Sequence, residues 1–180
     1  MYGLINKALE DYVRAHFGAG TWETILESSH VPVEVFVSME SYPDEWTYQL
    51  VSAASEVTGT PASDILEAFG EHWVRFTGRE GYGPLLAACG RTLPEFLMGL
   101  DNLHARIGLA FGYARTPSFR TTELGPDLLR VEYYSERAGL APMVIGLLRG
   151  LGSMFGVRVE IAQSRADAGH DEFLVRYSAN

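Results

Sequence analysis

The apolar residues of this chain change their repeat once, near residue 117, and that change limits the fold more than any other feature of the sequence. Before it they recur every three to four positions, as Leu4, Ile5, Ala8, Leu9, Tyr12, Val13 and Phe17 do, which gives a helix one apolar face. After it they alternate, as Val157, Val159 and Ile161 do against Arg158 and Glu160, which is the pattern of a half-buried strand.

The helical part divides at its punctuation. The spacing predicts a helix over 2–17 that stops at Gly18, a short one over 22–28 with Thr21 as its N-cap, and one from Pro43 to about Val57, ended by Gly59. Thr60-Pro61 opens another that runs to about Phe76, before Gly78. Thr92 and Glu95 have capping-box spacing, and the helix they start carries Leu93, Phe96, Leu97, Leu100, His104, Ile107 and Phe111 on one face before Gly112 and Thr116-Pro117 close it. Strands are predicted over 119–124, 128–134, 157–162 and 172–177, with 142–155 a helix that is apolar nearly all round and therefore buried. The fold class is α+β in a single domain: a helical subdomain over 1–60 packed on a subdomain over 61–180 that holds a four-stranded antiparallel sheet and helices.

Composition excludes several functions. A chain of 180 residues, 47% hydrophobic, can bury a full core without disulfides, and its single cysteine, Cys89, reads as a small buried or half-buried side chain. A formal charge of −9 with no clustering of Lys and Arg repels phosphate, so neither nucleic acid nor an anionic membrane is an expected partner. No apolar run approaches the roughly 18 residues of a membrane span, and the opening MYGLINKALEDYV mixes charge with apolar groups, so a cytoplasmic protein is expected.

Two features carry chemistry. His104 continues the apolar stripe of its helix, so its imidazole points into the core, where it needs either a carbonyl to bond or a metal to ligate. His16, His30, His72 and His170 lie near a helix end, in loops or beside polar neighbours, and no two have the spacing of a zinc site. The second feature is Tyr133, Ser135 and Arg137. Spaced by two in an extended segment, a phenol, a hydroxyl and a guanidinium share one face and can converge on a carboxylate, or else form a solvated face whose arginine pairs with Glu132 or Glu136.

The run Y-x-S-x-R at 133–137, with a histidine about thirty residues earlier in LDNLHARIGL and Pro117 between them, resembles the signature of H-NOX domains. The resemblance covers nearly the whole chain through MYGLINKAL, AASEVTG, AFGEHW, GYGPLL, PEFLMGLDNLH, PSFRTT and YYSERAGLAPMVIGLL, and is close to stand-alone bacterial members and to the haem domain of the soluble guanylate cyclase β subunit. It implies haem b between the two subdomains, with 1–60 distal and 61–180 proximal. His104 would be the iron ligand, Tyr133, Ser135 and Arg137 the propionate clamp, and Pro117 a group that presses on the macrocycle. Ile5, Trp73, Phe96, Leu100, Met143 and Leu147 would line the pocket.

Met143 stands where oxygen-binding relatives carry a tyrosine, and a thioether cannot donate a hydrogen bond to bound oxygen. The implied function is a sensor of nitric oxide and carbon monoxide, not an enzyme, whose output passes to a separate histidine kinase or a diguanylate or guanylate cyclase. Two alternatives are an oxygen sensor that uses Trp73 as the distal donor and a module for a non-haem hydrophobic carboxylate. Catalysis has less support, since no nucleophile has an adjacent base and no carboxylates are paired.

Overall fold

The computed structural model describes residues 1–110, 115–165 and 169–179. Helices α1 (Gly3–Phe17), α2 (Ala19–Ser29), α3 (Asp44–Thr58) and α4 (Ala62–Thr77) come first, and a wide turn over 78–82 with the short α5 (Gly83–Ala87) leads into the long α6 (Leu93–Ala110). Strands β1 (Ser118–Gly125) and β2 (Leu128–Tyr134), helix α7 (Ala141–Met154), and strands β3 (Val157–Arg165) and β4 (Asp171–Ala179) follow. The sheet is antiparallel throughout, in the order β1-β2-β4-β3. The chain is therefore α+β, and its change of period falls between α6 and β1. Phe111 and Gly112, predicted to finish the sixth helix, lie outside the described residues.

Alternation decides which face of the sheet is covered. Leu129, Val131 and Tyr133 of β2 are buried beside Phe173 and Val175 of β4, while Arg130 and Glu132 face the other way. Among the described residues no helix is long and apolar enough to cross a membrane.

One predicted helix start is corrected and one capping box is half formed. Helix α2 begins at Ala19, and the Thr21 hydroxyl donates to the Phe17 carbonyl at 2.7 Å, so Thr21 is no cap. Gly18, at φ 93°, turns the corner alone, in a conformation that a β-carbon resists. At α6 Thr92 Oγ1 accepts the Glu95 N–H at 3.4 Å, as a capping box requires, but the Glu95 carboxylate takes the Arg91 N–H at 2.8 Å instead of that of Thr92. The turn over 78–82 and α5 had no counterpart in the sequence reading, because the glycine-rich GREGYGP interrupts any helical period.

Two apolar cores form. One joins α1, α2, α3 and most of α4 around Leu9, Trp22, Leu50 and Phe69, and takes in Leu140 and Met143 at the head of α7. The other joins Phe96 and Leu97 of α6 to the inner face of the sheet and to Val144, Leu148 and Leu151 of α7. Helices α4 and α7 belong to both. They approach closely because Gly70 and Gly146 lack side chains: a β-carbon on Gly146 would strike the Glu67 carbonyl, and one on Gly70 the Met143 carbonyl.

Candidate functional site

A cavity of about 330 Å³ lies where the two cores meet. Leu4 and Ile5 of α1, Trp73, Val74 and Thr77 of α4, and Val144, Leu147, Leu148 and Leu151 of α7 supply part of its wall. Phe96, Leu97, Leu100, Leu103, His104 and Ile107 of α6 supply the rest with Pro117 and Phe119. The lining is overwhelmingly apolar, as a site for a flat hydrophobic ligand must be, and apart from Thr77 and His104 its polar members Tyr2, Ser38, Ser41, Tyr82, Arg115, Thr116 and Arg137 come from chain ends, turns and loops.

His104 is held there by the junction of α6 with β1. Asp101 accepts hydrogen bonds from Ser118 Oγ at 2.8 Å and from the Phe119 N–H at 3.1 Å, and Thr121 Oγ1 donates to the Leu97 carbonyl at 3.2 Å. These bonds set the imidazole against the Phe119 ring, with centroids 5.6 Å apart. Its Nδ1 is buried and hydrogen-bonds to no described residue. Burial pushes the His104 pKa below the usual histidine value, only partly opposed by the Asp101 charge and the Pro117 carbonyl. The ring is thus neutral near pH 7, with a lone pair free to ligate.

The remaining histidines are engaged elsewhere, and none lines the cavity. His72 Nε2 lies 2.8 Å from Asp11 Oδ2, His16 Nδ1 lies 2.8 Å from the Tyr12 carbonyl, His30 ends α2 in the left-handed region, and His170 stacks on Tyr134.

The predicted clamp is linked in series instead of converging. Tyr133 sits in the second core against Phe119, its pKa raised by burial in spite of a hydrogen bond with Ser135, and Ser135 Oγ accepts the Arg137 N–H at 3.0 Å. The strand ends at Tyr134, so Arg137 leaves its face and reaches across to α3. There it grips Asp44 with Nε to Oδ2 at 2.8 Å and Nη2 to Oδ1 at 3.2 Å, while Nη1 donates to the Arg115 carbonyl at 2.6 Å. The arginine thus pairs with neither Glu132 nor Glu136. Burial raises the Asp44 pKa, but hydrogen bonds from the Met1 ammonium and from Arg137 outweigh it and hold this carboxyl below its usual value. The fork that a bound carboxylate would need is formed, and it holds one of the chain's own.

Of the residues singled out from sequence, His104, Pro117, Arg137, Ile5, Trp73, Phe96, Leu100 and Leu147 line the cavity, whereas Tyr133, Ser135 and Met143 do not. Met143 is packed into the first core because its turn of α7 bears on Gly70 of α4, and Leu147, one turn on, reaches the wall. Tyr82, Arg115 and the loop residues Ser38, Met39 and Ser41 were not foreseen. They sit in irregular segments, where no period marks an inward face.

Comparison with known proteins gives the chain a family. The profile of the family described as Haem-NO-binding matches residues 2–163. The soluble guanylate cyclase gcy-35 of Caenorhabditis elegans is 34% identical over 152 residues, which is 83% of this chain and 22% of the cyclase. Another cyclase of that organism, gcy-31, is 29% identical over 171 residues, 95% of this chain and 24% of its own. The chain thus spans about a quarter of the length of such relatives. An H-NOX protein from K. algicida, solved in the Fe(II) unliganded form, superposes with a TM-score of 0.86 at 25% identity over 100% of this chain and 98% of its own. One from S. oneidensis, solved in the Fe(II)NO state, gives 0.88 at 22% over 99% of each chain. A matched profile over most of the chain, cyclase relatives and a shared fold together make this chain a member of the Haem-NO-binding, or H-NOX, family.

Proposed function

We propose that the chain is a sensor domain that holds haem b, binds nitric oxide and carbon monoxide at its ferrous iron, forms no stable oxygen complex and signals to a separate protein. The observation that carries this reading is His104, a neutral imidazole with an unpartnered buried nitrogen in the wall of an apolar cavity. Among the described residues no three His, Cys, Asp or Glu side chains cluster to hold a metal ion. His104 would therefore serve as the one protein ligand of an iron that a macrocycle carries. Haem would supply reversible capture of a diatomic gas.

The chain's own residues do the rest. His104 would ligate the iron, Arg137 with Ser135 and Tyr133 behind it would grip a propionate, Pro117 would press on the ring, and Leu4, Ile5 and Leu147 would exclude water. Removing the guanidinium costs more than removing a hydroxyl, because a buried carboxylate then loses its charge partner. Haem transfer to excess apomyoglobin is accordingly expected to speed up about tenfold or more in Arg137→Ala, and by less in Ser135→Ala. Equal rates for wild type and Arg137→Ala would reject the clamp.

Gas selectivity follows from the wall. Leu4, Ile5, Val144 and Leu147 have no donor, and the Thr77 hydroxyl already donates to the Trp73 carbonyl at 2.8 Å. Oxygen bound beside these residues lacks the hydrogen bond to a charged acceptor that contributes about 1.5–3 kcal/mol. Reduced protein opened to air is expected to give no stable oxy spectrum, yet to shift its Soret band with nitric oxide and with carbon monoxide. Leu147→Tyr, which sets a phenol in the wall, is expected to raise oxygen affinity about ten- to a hundredfold. A wild-type protein with no Soret band after reconstitution would favour the non-haem carboxylate module.

One observation favours the second reading, an oxygen sensor. Trp73 lines the cavity, stacked on Phe76, and its indole N–H bonds to no described residue. A stable oxy form in wild type that is lost in Trp73→Phe would replace the first reading with it. The proposed partner is a histidine kinase or a diguanylate or guanylate cyclase, the last consistent with the cyclase relatives, and the proposed location is the cytoplasm.

A further inference from the structure

The haem reading leaves a charge unaccounted for. Haem carries two propionates, and Arg137, which would meet one of them, already faces the Asp44 carboxylate. The Met1 ammonium in the cavity wall is already bound to Asp44, so a second anion at the cavity needs another cation. Arg115 lines the same cavity, and its backbone carbonyl is bound by Arg137 Nη1 at 2.6 Å, so the two residues are tied side by side. Its side chain is 78% exposed and pairs at 3.2 Å with Glu136, itself 77% exposed. An ion pair so open to water holds little free energy and gives way to a better partner. A guanidinium can take a carboxylate through two parallel N–H bonds, which no other exposed side chain of the cavity wall can do.

We propose that Arg115 is the second carboxylate-binding residue of this cavity, and that Glu136 competes with the ligand for it. The proposal rests on the haem reading above and adds to it a residue outside the Y-x-S-x-R run. Ligand binding then exchanges an exposed Arg115–Glu136 pair for an Arg115–propionate pair at the cavity mouth. Because the exchange is electrostatic and partly exposed, it weakens as salt rises.

The test compares wild type, Arg115→Gln and Glu136→Gln, each loaded with iron protoporphyrin IX, by haem transfer to excess apomyoglobin at low salt. Arg115→Gln is expected to release haem about tenfold faster and Glu136→Gln severalfold more slowly, with both differences shrinking in high salt. Loading with the dimethyl ester of the same porphyrin removes the carboxylates and is expected to bring all three proteins to one rate. The proposal is overturned if Arg115→Gln and wild type release haem at the same rate, or if their difference survives with the dimethyl ester. Failure of the haem reading looks different, since wild type would then show no Soret band. In that case quenching of tryptophan fluorescence by metal-free protoporphyrin IX, set against its dimethyl ester, still reads the grip of Arg115 on a carboxylate: a loss of affinity in Arg115→Gln confined to the diacid supports it, and equal quenching rejects it.

Discussion

His104→Ala is expected to lose haem, or to hold it only when imidazole is supplied, because no other histidine lines the cavity. The effect separates ligand from fold. In the unliganded chain the substitution removes a ring whose buried Nδ1 has no hydrogen bond, so the apoprotein loses little stability beyond the packing against Phe119 and one bond to the Pro117 carbonyl. Wild type gains thermal stability on haem binding, as any protein does when a ligand binds only the folded form, and the variant does not. Thermal melts of both proteins with and without haem check this together with the Soret band. Stoichiometric haem with an unchanged ferrous spectrum in His104→Ala would remove the assignment.

Acid adds a second measurement on the same residue. Burial lowers the His104 pKa, so the folded state favours the neutral ring. The stability this gives is present above the ordinary histidine pKa of about 6.5 and is lost as pH falls through that value towards the depressed one. Protons compete with iron for the same nitrogen, so acid release of haem is expected below about pH 6.5 and not above it.

Gly146→Ala is expected to destabilise the whole molecule by about 2–3 kcal/mol, or roughly 5–10 °C in Tm for a chain of this size. A β-carbon at 146 meets the Glu67 carbonyl and the Glu71 N–H, which are helix backbone and cannot turn aside as a side chain would. Helices α4 and α7 must then separate, and both carry cavity wall, Trp73 and Thr77 on one and Val144 and Leu147 on the other. Haem affinity is expected to fall with stability. Gly20→Ala is the control: it lies in a helix with nothing near its missing β-carbon, so stability there stays level or rises slightly. Urea unfolding of the three proteins decides the matter, and a Gly146→Ala midpoint equal to wild type would mean that the seam is loose.

The sequence by itself determined what depends on local repeat and chemical type. The period of three to four placed α1, α3, α4 and α6 within a few residues, the period of two marked all four strands, and the same arithmetic turned His104 inward, because a side chain's face is fixed by its own element's geometry. Y-x-S-x-R named the guanidinium by type but not its direction, because the strand ends at Tyr134 and Arg137 leaves its face to grip Asp44. Tertiary structure alone decided which groups meet. Asp44 is 93 residues from Arg137 and has no local sign of that pairing, Arg115 joins the wall from a segment without a period, and Met143 is withdrawn while Leu147 is presented because α7 rests on two glycines. Contacts between distant elements follow from the fit of surfaces, which depends on every side chain in the seam at once, so no window of sequence contains them.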